Sequence, residues 1–227
     1  MKIQDSSKKL IDYLFVFVLI LQLIIYFSTI SRVPFHPDEA TQIYMSKDFE
    51  LFFKDPKILF YAEQKQQDQR QAYRLLDAPL TRYSIGFARW LFHQPALETD
   101  WNWSKTWEEN NQALPAPSLL LISRLSVAFI FPFTLFFFYK LINKLYAKKI
   151  AQAATLIFSL NAIILLHSRR AMAESLMLFL LIFSIYCLFS IPKKYFFLTA
   201  IPISLAINAK QSMLVLGLIA VLFCIYY

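Results

Sequence analysis

Arg32-Val33-Pro34-Phe35-His36-Pro37-Asp38-Glu39-Ala40 follows directly on an apolar run, Ile11 to Ile30, that is long enough to cross a bilayer. Two adjacent acids, Asp38 and Glu39, therefore stand where the chain leaves hydrocarbon. Lys2, Lys8 and Lys9 precede the run and mark its cytoplasmic end, which puts the acids at the outer face. The run ends in Ser28-Thr29-Ile30-Ser31-Arg32, with no small-x-small cleavage site, so it reads as a retained first span rather than a signal peptide.

Composition agrees. Of 227 residues 58% are hydrophobic and 17% aromatic, too apolar for a soluble domain. The net charge of +8 would suit nucleic acid in a soluble chain. Here the basic residues cluster in short loops between apolar runs, as orientation signals do, and nucleic acid is discounted. Cys187 and Cys224 both lie in apolar segments and form no disulfide framework for the polar loop.

Ser31 to Ser118 is long and polar, with ten basic and twelve acidic residues, and reads as a large outer loop. Asp38 to Phe53 predicts a helix with Pro37 near its start and its acids in the first turn. Gln64 to Gln71 reads as exposed. Leu80, Tyr83, Phe87, Trp90 and Leu91 recur at helical spacing while Arg82, Arg89 and His93 take another face, a pattern for a helix in the headgroup plane. Trp101, Trp103 and Trp107 suit the same interface.

Further spans are expected at Leu119 to Tyr139, Ile150 to Leu166 and Ala171 to Ile191, with Lys140, Lys144, Lys148, Lys149, Lys193 and Lys194 marking the inside. Phe196 to Ile207 and Met213 to Tyr227 are each short for a span. They read as a broken helix, or two short ones, joined near Lys210. From Leu119 onward the one acid is Glu174, and the bases outside the cytoplasmic loops are Arg124, Arg169, Arg170 and Lys210. Ionisable groups at membrane depth are costly and face a cavity, a partner or a ligand. On this topology all five share the outer side with Asp38 and Glu39.

Such a gathering suits a lipid-linked phosphate whose headgroup lies at the same interface. Cations hold the phosphate as it leaves, and a carboxylate deprotonates or orients the incoming hydroxyl or amine. Hydrolysis finds no Ser-His-Asp set, His-rich metal motif or Gly-rich phosphate loop in a chain with two glycines.

The order of first span, His36-Pro37-Asp38-Glu39-Ala40, Asp77-Ala78-Pro79-Leu80-Thr81-Arg82-Tyr83, Ser168-Arg169-Arg170-Ala171-Met172-Ala173-Glu174-Ser175-Leu176 and Asn208-Ala209-Lys210-Gln211-Ser212 resembles the N-terminal half of GT-C class membrane glycosyltransferases. The similarity is greatest to the branch of protein O-mannosyltransferases and the lipid A aminoarabinose transferase. The resemblance implies that Asp38 is the catalytic acid of the first outer loop, that Glu174 lines the same cavity, and that basic residues bind the lipid phosphate. Related sequences often carry Lys or His ahead of a Pro-Pro-Leu or similar motif, where this chain has Asp77, and Arg82 is the substitute candidate.

Every candidate has a structural alternative. Asp38 and Glu39 could serve a helix N-terminus, worth about 0.3 to 1 kcal/mol each. Arg169 and Arg170 could snorkel to water, Glu174 could pair with Arg170 four residues earlier, and Lys210 could meet lipid headgroups. His36 and His167 read as polar interface residues, because no second ligand lies at metal-site spacing.

The expectation is therefore an all-α polytopic transmembrane helix bundle with a large outer loop carrying interfacial helices. Residues 1–227 would form one N-terminal part of a longer domain, with 31–118 the loop and 119–227 further spans. It would transfer a sugar, with inversion, from a polyprenyl-phosphate donor to a protein or lipid acceptor at the outer face of the plasma membrane. Asp38, Glu39 and Glu174 are the catalytic candidates, and Arg82, Arg169, Arg170 and Lys210 the donor-binding ones. No metal ligands are assigned, and a divalent cation is left open. The alternative is a transporter or flippase for an anionic lipid-linked substrate.

Overall fold

The structure, a computed structural model, describes residues 2–60 and 69–226. Helices and turns account for all the regular structure in them. A chain in lipid has no water to satisfy its backbone, so helices are the form its apolar segments can take. Three helical stretches, Lys9–Ser28, Pro117–Leu145 and Ala173–Ser190, are long and apolar enough to cross a membrane, and one bent pair, Lys148–Ser159 with Ala162–Ser168, reaches that length and hydropathy only when taken together. The protein is an integral membrane protein built from α-helices.

The first helix, α1 (Lys2–Ser28), exposes Leu14, Phe17, Ile20, Leu21 and Ile24, a surface suited to lipid. Its other side is fastened by polar rungs to α8 (Lys148–Ser159). Asp12 pairs with Lys148 and accepts from Gln152 Nε2 at 2.7 Å, and Ser159 Oγ donates to Gln22 Oε1 at 2.8 Å. These rungs fix the register where apolar contact alone would not.

The second span is α6 (Pro117–Ala128) followed by α7 (Phe131–Leu145), jointed at Phe129 and Ile130. Pro132 explains the joint: it supplies no N–H and its ring crowds the carbonyl four residues back. The expected third span is broken. α8 and α9 (Ala162–Ser168) meet at 63° where Asn161 caps α9, its Oδ1 accepting from Ile163 N and Ile164 N at 3.1 Å. Beyond α10 (Ala173–Ser190), α11 (Ala200–Ala209) and α12 (Leu214–Tyr226) are divided at Lys210, whose backbone is extended. This is the break that the polar residues 208–212 foretell.

The loop contains α2 (Pro37–Met45), α3 (Asp48–Lys54), α4 (Gln69–Leu76) and α5 (Leu80–Leu91). The single helix expected from Asp38 to Phe53 is two, turning at Ser46 and Lys47 so that Asp48 points inward to Arg74, with Arg74 Nη2 2.6 Å from Asp48 Oδ1. Of the stretch expected to be exposed, 64–68 lie outside the described residues. Gln71 is buried, donating to the carbonyls of Ile58 and Phe60 at 3.1 and 3.3 Å.

Along α5, Phe87, Trp90 and Leu91 are exposed while Arg82 and Arg89 are buried. That is inside-out for water and right for a helix at a membrane surface. Arg89 Nη2 reaches Glu50 Oε1 at 2.6 Å, and Gly86 lets α5 press on α3, since a Cβ there would stand 2.5 Å from the Ser46 carbonyl oxygen. Trp101 packs in the core 4.8 Å from Trp107, with Phe35 6.1 Å away, so only Trp103 and Trp107 of the three remain exposed.

Candidate active site

His36 begins α2 as its cap. Its Nδ1 accepts from Asp38 N at 3.2 Å, and its own N–H donates to Glu39 Oε2 at 3.0 Å, satisfying groups that a helix start leaves open. Pro37 supplies the first helical position at no cost in donors.

The two neighbouring acids then diverge. Glu39 is fully buried against Arg124 of α6, Nε to Oε1 and Nη2 to Oε2 both at 2.8 Å. Arg124 Nη1 also donates to the carbonyls of Ile30 and Val33 at 3.0 and 2.9 Å, and Ala171 N donates to Glu39 Oε1 at 2.9 Å. One fork-on-carboxylate pair thus ties the exit of α1, the start of α2, α6 and the turn before α10. Glu39 is fully buried with both oxygens spent on this junction, which departs from the catalytic expectation for it. The signal lay in the capping-box spacing from His36.

Asp38, half exposed, points the other way, into a cleft of about 330 Å³. Glu174, in the first turn of α10, and Lys210, at the α11 break, line the same cleft, with Lys210 Nζ 2.7 Å from Glu174 Oε1. Three groups 36 to 172 residues apart in sequence therefore share one wall, and Glu174 pairs with Lys210 rather than with Arg170. The Oε2 of Glu174 is buried without a hydrogen-bond partner.

The arginines do not join them. Arg82 is buried behind α5, its Nε 3.6 Å from Asp48 Oδ2, and desolvation pulls its pKa down despite the carboxylates of Asp48 and Asp77. Arg169 turns back to α1, donating to Thr29 Oγ1 at 2.6 Å and the Leu165 carbonyl at 2.7 Å. Arg170 is absent from the cleft lining, and its Nε is buried without a hydrogen-bond partner. A buried guanidinium carries five donors, and nearby carbonyls and carboxylates on the scaffold draw Arg82 and Arg169 away from the open wall.

In their place the cleft has Asp77, Gln42 and Tyr73. Gln42 Nε2 donates to Asp77 Oδ2 at 2.6 Å. The sequence held a hint of Gln42, which lies one turn after Asp38 on the same helical face. Nothing local marked Tyr73. Its hydroxyl donates to Asp100 Oδ2 at 2.6 Å, and burial with that carboxylate pushes its pKa up to about 12. The charged lining is thus Asp38, Asp77 and Glu174 against Lys210. Among the described residues no three His, Cys, Asp or Glu are close enough together to hold a metal ion.

Asp77, Glu174 and Lys210 of this lining lie in a stretch that matches a known sequence family. Residues 61–227 match the description of the dolichyl-phosphate-mannose-protein mannosyltransferases. The chain belongs to that family. The match covers α4 to α12, including Asp77, Glu174 and Lys210, and begins after Asp38 and Glu39. No curated protein and no solved structure matches the chain. Membership of the mannosyltransferase family makes the chain glycosyltransferase-like and supports the GT-C resemblance.

Proposed function

We propose that the protein transfers a mannosyl residue from dolichyl phosphate to a protein hydroxyl at the outer face of the membrane, with inversion at the anomeric carbon. The observation that carries this is the meeting of Asp38, Glu174 and Lys210 in one cleft. The acceptor oxygen attacks the anomeric carbon while Asp38 takes its proton. The bond from that carbon to the phosphate oxygen breaks, and the phosphate leaves with the electron pair. Lys210 receives the charge that develops, and Glu174 holds the ammonium in position beforehand. Gln42 and Asp77 complete the lining of the cleft.

Glu39 acts through position: its ion pair with Arg124 sets the start of α2, and the next side chain, Asp38, then faces the donor. Arg82, Arg169 and Arg170 support the scaffold in this reading, and the donor phosphate falls to Lys210.

The test is Asp38→Asn in the full-length protein, inserted in membranes and supplied with labelled dolichyl-phosphate-mannose and the native acceptor. Transfer should fall by about 10²-fold or more, the scale of a lost general base. Unchanged transfer by a correctly folded variant would overturn the assignment. Movement of intact donor across the membrane, without consumption, would favour a flippase.

A further inference from the structure

A second cavity among the described residues is larger than the donor cleft. It lies in the outer loop, measures about 540 Å³, and lies within the range of about 300 to 1,000 Å³ usual for small-ligand sites. Tyr73 lines both cavities, so one aromatic side chain is all that the two lining sets share.

Its wall is chemically selective. Asp100 is 6% exposed; its Oδ2 accepts from Tyr73 and from Gln69 Nε2 at 3.2 Å, while Oδ1 is buried with no partner. A buried acceptor left without a partner is costly, and a ligand donor would relieve it. The other two carboxylates of the lining are engaged. Glu98 is held by Lys47 Nζ at 2.9 and 3.0 Å, and Glu109 Oε2 accepts from Thr106 N at 2.8 Å. Trp103, 67% exposed, lines the same cavity with Thr99, Lys105 and Gln112.

An anion would meet three carboxylates, and a cation would find two of them already occupied. A neutral ligand rich in hydroxyl groups meets neither penalty. Its C–H faces stack on an indole, and its hydroxyls donate to a carboxylate and accept from an amine or amide. We infer that this loop cavity is a saccharide-binding subsite, with Trp103 as its platform and Asp100 as its floor. Being next to the donor cleft across Tyr73, it would seat sugar already attached to an acceptor beside the point of transfer. The seat next to the transfer point rests on the proposed reaction; the binding itself does not.

Full-length protein in detergent is titrated with mannobiose, cellobiose and chitobiose, following tryptophan fluorescence and ligand-observed saturation-transfer NMR. Saturable binding of at least one disaccharide near 1 mM is expected, an affinity of about −4 kcal/mol. Trp103→Ala, at an exposed position that should leave folding intact, should weaken it by roughly tenfold or more. Asp100→Asn should weaken it as well, and Asp38→Asn should leave it unchanged while abolishing transfer. Absence of saturable binding by the wild type, or binding indifferent to Trp103→Ala, overturns the subsite. Loss of transfer in Asp38→Asn with binding intact keeps the two readings separate.

Discussion

Asp38 and Glu39 are one residue apart and have opposite surroundings, so their variants should fail in opposite ways. Glu39→Gln removes the carboxylate that pairs with buried Arg124 and leaves an uncompensated charge. A loss of about 3 to 5 kcal/mol is expected, read as a lower thermal midpoint in detergent. Asp38→Asn alters a half-exposed side chain and should change stability by no more than about 0.5 kcal/mol while removing transfer. At Tyr73 the sign of the pH effect follows from a folded pKa of about 12 against an ordinary 10.0. Its protonated phenol favours the folded state, so its contribution is complete below pH 10 and is lost as pH rises towards 12. The alkaline fall in melting temperature should be shallower in Tyr73→Phe, measured beside the wild type.

Among the elements, the close crossing of α3 and α5 depends on Gly86, where an added methyl would run into Phe49 and the Ser46 carbonyl. Gly86→Ala should cost about 1 to 3 kcal/mol, because backbone cannot step aside as a side-chain tip can. The Arg89–Glu50 pair sits beside this crossing and should loosen with it. Limited proteolysis of the loop should therefore be faster in Gly86→Ala than in wild type, with the membrane helices unaffected. The α11–α12 break matters differently: it places Lys210 at the level of Glu174, which a continuous helix would carry past on its next turn.

Across the whole molecule, the cleft is lined by the starts of α2 and α10 and the end of α11. On the orientation proposed from the basic loops, the cleft faces the outside. Thr41→Cys, on the cleft wall, should react with an impermeant maleimide from the outer side of sealed vesicles and not from the inner side. Cys187 is buried within a span and should stay silent. Labelling from the inner side alone would reverse the topology and remove the outer-face donor site.

Much of this architecture was legible because hydrocarbon permits few solutions. Apolar runs long enough to cross become helices, basic loops orient them, and residues 208–212 are too polar to continue one. Pro132 and Asn161 carry local signals of the breaks they cause, yet whether a span bends at them depends on the neighbours it packs against. The site was legible in part for the same reason. Asp38, Glu174 and Lys210 are ionisable groups at the ends of apolar runs, and the structure brings them to one cleft. Arg82, Arg169 and Arg170 satisfied the same rule in the sequence, yet Arg82 and Arg169 turned out to face the scaffold and Arg170 lies outside the cleft lining. A charge pattern gives depth and helical face; it does not say which of several carbonyls or carboxylates lies within 3 Å of a guanidinium. Only the tertiary packing decided that Glu39 closes on Arg124, and that Asp77, Gln42 and Tyr73 come to the cleft, because those contacts join segments far apart in the chain whose relative positions no local preference specifies.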